Sequence, residues 1–170
     1  ILSLDNFPEI GEIEETGSTL LENSLIKART VFAKTGMPAI ADDTGLEVDA
    51  LNGAPGIYSA RYAGINVSYE DNVRKLLSEM ASIEMASRTA RFRTVISYHS
   101  LNKELWTNGV IEGSITNNPI GGKGFGYDPV FRALKTGKTF SEMTKEEKNK
   151  ISHRGVALNK MCKVLKENLK

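Results

Sequence analysis

The sequence predicts an α/β protein whose mixed sheet contains a hairpin, and three observations lead to this fold class. Two β-rich segments, Thr89 to His99 and Leu105 to Ile115, are joined only by residues 100–104, which predicts an antiparallel pair of strands. A third apolar run, at residues 39–41, predicts another strand. Outside these segments, capping residues at four positions predict helices.

The chain of 170 residues is long enough for a core of its own, and we expect a single domain over residues 1–170. Hydrophobic residues make up 40% and charged residues 25% of it, which is typical of a globular protein. The net charge of +1 provides no overall field for nucleic acid or an anionic membrane, so neither is an expected partner. No apolar run is long enough to span a bilayer. The single cysteine, Cys162, excludes an intrachain disulfide and a thiolate metal cluster, and it is consistent with a cytoplasmic location.

The first helix is predicted to begin after Thr19, an N-cap residue that Glu22 extends into a capping box. It is predicted to end near Lys34 and Gly36, a cation in the last turn and a glycine just past it. Its apolar face comprises Leu21, Leu25, Ala28 and Phe32. Lys27 lies off that face, which by itself indicates a solvated lysine.

Three further helices follow along the chain. Ser68 with Asp71 predicts the second helix, and Thr144 with Glu147 predicts a short third one. The last helix is predicted to open after Ser152. Its buried face is predicted to comprise Leu158, Met161, Cys162, Leu165 and Leu169.

The stretch from Pro38 to Arg61 is unusual because its apolar strand ends abruptly in Asp42 and Asp43. Unpaired carboxylates at the end of a buried strand are disfavoured, so they typically meet a metal ion or a cation. In open α/β sheets, ligands also bind at the carboxyl ends of strands. The alternative is a simple turn at Thr44 and Gly45, in which Asp43 bonds the backbone ahead of it.

A second unusual stretch, Asn117 to Arg132, places several glycines around Phe125. It is not a Walker A loop, because no Gly-Lys-Ser/Thr follows at the required spacing. An aromatic residue between glycines favours a backbone that lets a flat ligand approach, whereas the simpler interpretation is a flexible loop.

A third cluster lies where the last helix begins. Lys148, His153 and Arg154, together with the positive end of the helix dipole, predict a site for an anion or a hydrogen-bond acceptor. For Lys148 the alternative is a place in a solvated run of lysines. Carboxylates such as Glu14 and Glu15 suit Mg²⁺, and a flat aromatic side chain suits a purine. These features together indicate a site for a nucleotide with Mg²⁺.

Four segments extend this pattern over nearly the whole chain, namely EETGSTLLENSLIKA (Glu14–Ala28), GMPAIADDTGLEVDALNGAPGIYSARYAG (Gly36–Gly64), GGKGFGYDPVF (Gly121–Phe131) and EMTKEEKNKISHRGVAL (Glu142–Leu158). In them the chain resembles the inosine triphosphate pyrophosphatase family, which hydrolyses deaminated purine nucleoside triphosphates. The resemblance implies hydrolysis of ITP, dITP or XTP to monophosphate and pyrophosphate with Mg²⁺ as cofactor. It also implies a twisted mixed sheet flanked by helices, two lobes with a central cleft, and a homodimer.

The resemblance further implies roles for individual residues. Asp43 would be the proton acceptor and a metal ligand, and Glu14 would be the other Mg²⁺ ligand. Thr44 would contact the substrate, and Lys27 would contact its phosphates. The base would be bound by Phe125, Gly126, Tyr127, Asp128, Lys148, His153 and Arg154.

The chain departs from the family at its start. The family opens with a strand, a phosphate loop of the pattern Ser/Thr-x-Asn-x-x-Lys and a helix, and this sequence begins past them at Ile1. We therefore expect an N-terminally incomplete domain that lacks that strand and loop. The alternative function is then a catalytically impaired, nucleotide-binding fragment.

Overall fold

The structure is a computed structural model that describes residues 1–168. Its helices are α1 (Leu20–Thr35), α2 (Tyr69–Glu79), α3 (Lys145–Ile151) and α4 (His153–Asn168). Its strands are β1 (Ala39–Val48), β2 (Pro55–Gly56), β3 (Thr89–His99), β4 (Glu104–Ile115) and β5 (Phe131–Ala133). No helix within the described range is long and apolar enough to cross a membrane.

The strands form one sheet in the order β2-β1-β3-β4-β5. β3 and β4 form the predicted hairpin, with Val95 opposite Asn108. Each of the four pairings is antiparallel, so the sheet that residues 1–168 form is antiparallel throughout. The predicted α/β class, with helices flanking a sheet, is confirmed.

The side chains of β3 alternate between two helical layers. Ser97 faces α1, where its Oγ accepts a hydrogen bond of 2.8 Å from Ser24 Oγ. Ile96 and Phe92 face the other side, where Ile96 packs with α4 and Phe92 joins a core that includes α2. The sheet therefore has α1 on one face and both α2 and α4 on the other.

β1 continues well beyond its predicted end. The sequence predicts a strand that ends at Asp42 and a turn at Thr44 and Gly45, but the strand runs on to Val48. Ten consecutive residues of β1 pair with β3, and Leu46 and Val48 are fully buried. Strand pairing and core packing thus outweigh the local turn preference of an Asp-Thr-Gly sequence.

The helix caps largely follow the sequence. Thr19 Oγ1 accepts a hydrogen bond of 3.1 Å from the Glu22 backbone N–H, as predicted. The Glu22 carboxylate, however, accepts from the backbone and hydroxyl of Ser18 rather than from Thr19. The predicted caps of α2 and α3 are confirmed, and both form capping boxes.

The predicted apolar face of α4 is only partly buried. Met161 is buried and Leu165 packs against the core, but Leu158 and Cys162 are exposed. Leu169 lies outside the described residues. The helix thus covers the sheet with a narrow stripe, and Leu158 lines a neighbouring cleft.

Candidate active site

A cleft of about 830 Å³ opens on the face of the sheet that carries α2 and α4. It lies between β1, the glycine-rich segment and the start of α4. It gathers every predicted substrate-binding residue apart from Lys27, namely Thr44, Phe125, Gly126, Tyr127, Asp128, Lys148, His153 and Arg154. The residues predicted to bind the base therefore line one continuous cleft.

The glycine-rich segment folds into a tight turn that presents Phe125 to the cleft. Gly124 and Gly126 have φ angles of +84° and +59°, which other residues rarely adopt. The Phe125 backbone N–H donates a hydrogen bond of 3.0 Å to Asp128 Oδ2. A Cβ on Gly124 would lie 2.1 Å from the same oxygen, so only glycine fits there. The turn leaves the Phe125 ring more than half exposed.

Tyr127 and Asp128 are buried residues that stabilise this turn. Tyr127 is buried in the core, and its hydroxyl donates a hydrogen bond of 3.0 Å to the Ser59 carbonyl. Asp128 is also buried, and its Oδ2 lies 2.5 Å from Lys148 Nζ. Both side chains reach the cleft wall while holding Phe125 in place.

Lys148 sits at the cleft rather than in a solvated run. Besides pairing with Asp128, its Nζ lies 4.9 Å from the centroid of the Phe125 ring. That ring faces a cation that is mostly shielded from solvent. The arrangement places one hydrogen-bond donor directly beside the exposed aromatic surface.

His153 is buried and neutral. Its ring stacks on Phe92, with centroids 4.7 Å apart, and burial, helped by Arg154 and Lys148, lowers its pKa to about 3. Its Nδ1 has no hydrogen-bond partner among residues 1–168. The imidazole therefore forms part of the cleft wall without adding a charge, while its unsatisfied Nδ1 is shielded from solvent.

Gly109 on β4 determines where α4 can begin. A Cβ at this position would lie 2.0 Å from the His153 carbonyl oxygen and 2.5 Å from the Ala157 nitrogen. The first turn of α4 thus rests directly on the backbone of β4. This contact, which no sequence motif indicated, positions His153 and Arg154.

Arg154 reaches from α4 to β1. Its Nη2 lies 2.9 Å from Asp42 Oδ2 and 3.5 Å from Thr44 Oγ1. Thr44 Oγ1 in turn lies 2.6 Å from Thr94 Oγ1 on β3. Asp42 is therefore paired with a cation on the cleft side, and it does not share a site with Asp43.

Asp43 lies on the opposite face of the sheet, beneath α1. Its side chain is only 10% exposed, and its Oδ1 lies 2.8 Å from Lys27 Nζ. The same ammonium lies 2.8 Å from Glu15 Oε1, and Arg61 Nη1 lies 3.8 Å from Glu15 Oε2. Lys27 is thus neither solvated nor part of the cleft but joins two carboxylates.

Burial raises the pKa of Asp43, and the hydrogen bond and charge of Lys27 oppose that effect without cancelling it. Burial works to lower the pKa of Lys27, but Asp43 and Glu15 outweigh it and raise that pKa. The ammonium therefore stays protonated at neutral pH. Asp43 becomes a stronger base than an ordinary carboxylate.

Three residues of this cluster were given no individual role by the sequence, although Glu15 was named with Glu14 as a carboxylate that suits Mg²⁺. The sequence pointed to Glu14, but Glu14 is exposed and its neighbour Glu15 contacts Lys27. Asn23 is fully buried, and its Oδ1 accepts a hydrogen bond of 2.8 Å from the Gly17 backbone N–H, which fixes the loop that carries Glu15. Its spacing of four residues from Lys27 places both on one helix face, and this signal could have been used. The third, Arg61, depends on a loop whose path the sequence does not reveal.

The cluster of Asp43, Glu15 and Lys27 fits a hard divalent cation by its chemistry. Mg²⁺ prefers oxygen ligands and usually takes only one or two carboxylates from the protein, with phosphate and water supplying the rest. Two carboxylates already converge on one positive charge here. Among the described residues, no group of three or more His, Cys, Asp or Glu could hold a metal unaided.

Comparison with known proteins gives consistent results. The model of the Ham1 family matches residues 1–164. A dITP/XTP pyrophosphatase from Thermoanaerobacter sp. (strain X514) is 53% identical over 150 residues, which are 88% of this chain and 76% of that protein. The dITP/XTP pyrophosphatase of Geobacter sulfurreducens is 50% identical over 93% of this chain and 80% of its own length.

Solved structures agree in fold. A HAM1 protein from Coxiella burnetii is 44% identical, with a TM-score of 0.90 over 95% of this chain and 84% of that chain. The Staphylococcus aureus Ham1 protein is 39% identical, with a TM-score of 0.88 over 97% of this chain and 93% of that one.

Proposed function

Because the chain belongs to the Ham1 family, we propose that it hydrolyses the deaminated purine nucleoside triphosphates ITP, dITP and XTP to monophosphate and pyrophosphate. One observation supports this most directly. A cleft with an exposed aromatic ring and donor side chains lies across β1 from a buried carboxylate that is paired with a lysine. A purine base and a triphosphate need environments of these two kinds, one aromatic with hydrogen-bond donors and one charged.

The buried carboxylate of Asp43 is suited to act as a general base. A water oxygen would bond to the α-phosphorus, its proton would pass to Asp43, and the bond from that phosphorus to the bridging oxygen would break. Pyrophosphate would leave with the bonding electrons. The raised pKa of Asp43 favours proton transfer, since a base works best when its pKa approaches the working pH.

Positive charge beside the triphosphate comes from two sources. Lys27 and Arg61 already lie at the carboxylate cluster and can neutralise phosphate oxygens. Asp43 and Glu14 would hold Mg²⁺, as the resemblance implies, and the ion would supply further charge to the triphosphate when bound. Glu15, beside Glu14 in the sequence, instead contacts Lys27.

Recognition of the base is assigned to the cleft. Inosine and xanthine present an oxygen acceptor at C6, whereas adenine presents an amino donor. Lys148 and Arg154 are paired with Asp128 and Asp42, but each carries further N–H donors that the amino group of adenine cannot accept. A site built on such bonds can reject the wrong partner by up to ~10⁴-fold. Guanine shares the C6 oxygen, so its exclusion must depend on the amino group at C2.

The products provide the first test. Purified protein with ITP and Mg²⁺ is expected to release inosine monophosphate and pyrophosphate in equal amounts, with both products separated by ion-exchange chromatography. No other pyrophosphatase is added, and an Asp43→Asn preparation controls for contaminating enzymes. Release of inosine diphosphate and orthophosphate instead would show that a different bond is cleaved.

Replacing Lys148 by alanine is expected to lower the ratio of kcat/KM for ITP to kcat/KM for ATP, because the lysine is a hydrogen-bond donor beside the Phe125 ring. Phe125→Ala serves as the matched comparison. It is expected to raise KM for ITP and ATP by similar factors, since stacking does not distinguish bases. An unchanged ITP/ATP ratio in Lys148→Ala would remove this lysine from base recognition.

We also propose that the protein acts in the cytoplasm as a homodimer. Both points rest on the family, and the single cysteine is compatible with a reducing compartment. Light scattering after gel filtration measures the oligomeric state directly.

A catalytically impaired binding fragment is not favoured, because the family match extends over residues 1–164 and the Asp43–Lys27 pair is in place.

A further inference from the structure

A second exposed aromatic side chain lies at the mouth of the cleft. Tyr69 is the first residue of α2, and its side chain is 55% exposed. Its ring centroid lies 6.0 Å from that of Phe125, with the two planes inclined at 48°. Both residues line the same cleft.

The backbone of Tyr69 is held firmly although its ring is free of the core. Ser68 and Asp71 form the capping box that starts α2 immediately beside it. Asn72 is buried, accepts a hydrogen bond of 2.7 Å from the Ala63 backbone N–H and donates one of 3.0 Å to the Ala60 carbonyl. The backbone at Tyr69 is therefore fixed, while its large aromatic ring is exposed. Core packing does not explain the orientation of that ring.

The geometry of the two rings points to a clamp. Two rings that hold a third between them are separated by two carbon contact distances, or about 7–8 Å. At 6.0 Å the two rings lie closer than this, so side-chain rotations that open the gap by about 1–2 Å and bring the planes parallel would admit a flat ligand. Both rings are more than half exposed, so the core does not block such rotations.

We propose that Tyr69 forms the second aromatic wall of the base site, so that the purine is held between Tyr69 and Phe125. This inference rests on the proposed function. Stacking is tolerant of base identity, so Tyr69 contributes affinity for every purine. Discrimination between bases is assigned to Lys148 and Arg154. Tyr69 touches the base and not the reacting phosphorus, so its contribution falls on KM rather than kcat.

Three variants test the clamp in steady-state assays with ITP and ATP. Tyr69→Ala is expected to raise KM for both by a similar factor, roughly 5- to 150-fold from the usual strength of base–aromatic stacking, with kcat unchanged. Tyr69→Phe retains the ring and should restore KM. Trp106→Ala is the matched control, because Trp106 is similarly exposed at 52% but lines a different groove.

Binding without turnover gives an independent readout. Tyr69→Trp should show saturable fluorescence quenching on titration with inosine monophosphate, whereas the unsubstituted protein, whose single tryptophan is Trp106, should not. Trp106 contributes a constant background signal, because it lines a different groove and not the cleft.

The outcomes separate the two proposals. If Phe125→Ala raises KM and Tyr69→Ala does not, the clamp is wrong while the base site stands. If neither variant changes KM, the base does not bind in this cleft, and both the assigned base site and the clamp are overturned. A Tyr69→Trp signal that is insensitive to inosine monophosphate also overturns the clamp.

Discussion

Replacing Asp43 by asparagine is expected to lower kcat for ITP hydrolysis by about 10²-fold or more, the usual contribution of a general base. The change preserves the size of the side chain but removes the basic oxygen. It also removes one of the two negative charges that Lys27 contacts. Because both catalytic functions assigned to Asp43 depend on that charge, a large effect on rate is expected without a change of fold.

The measurement is kcat with ITP, accompanied by thermal unfolding to confirm that the variant is folded. Asp49→Asn is the matched control, since Asp49 directly follows β1 and its carboxylate is paired with Arg91 at the surface. That variant should retain wild-type kcat. Near-full activity of Asp43→Asn would mean that another group accepts the proton.

Replacing Gly109 by alanine is expected to damage both stability and selectivity, although the residue contacts no substrate. The new Cβ would collide with the first turn of α4 at His153 and Ala157, and neither backbone can yield without moving the helix. Inserting a methyl group into such a contact costs about 1–3 kcal/mol, which corresponds to a Tm lower by roughly 2–10 °C. The displaced helix carries Arg154 away from Thr44, so kcat/KM for ITP should fall by roughly 10-fold or more.

Gly122→Ala provides the control for this prediction. A Cβ at Gly122 would meet nothing within 4 Å, so the same change of residue type should leave Tm close to that of the wild type. Calorimetry and the ITP/ATP ratio are measured on both variants. Wild-type Tm and selectivity in Gly109→Ala would show that α4 does not depend on this close approach.

Local sequence signals predicted the helices and the hairpin well. The caps at Thr19, Ser68 and Thr144 are decided by neighbouring residues, which the sequence displays directly. The hairpin of β3 and β4 follows from two β-rich runs and a short linker. The residues that line the cleft were named as a group only because whole motifs resembled a known family, and their roles stay predictions.

Features that depend on distant parts of the chain were missed. The turn expected at Thr44 is a strand, because its pairing with β3 and the burial of Leu46 are invisible to a local pattern. The same error hid the fact that Asp42 and Asp43 point to opposite faces. The contacts of Glu15 and the close approach at Gly109 likewise arise from residues far apart in sequence.

The alternation of side chains along β1 also has a consequence for refolding. Asp43 and Thr44 are consecutive, so sliding β1 by one residue against β3 would exchange the faces on which they lie. Such a chain would keep most of its strand hydrogen bonds and remain compact, yet its carboxylate would enter the cleft. Burial of Leu46 and the tight contact of Gly45 with the Gly56 carbonyl oppose the slip. The specific activity after refolding therefore measures the fraction of molecules in which β1 has its native register. This fraction is independent of the yield of compact protein.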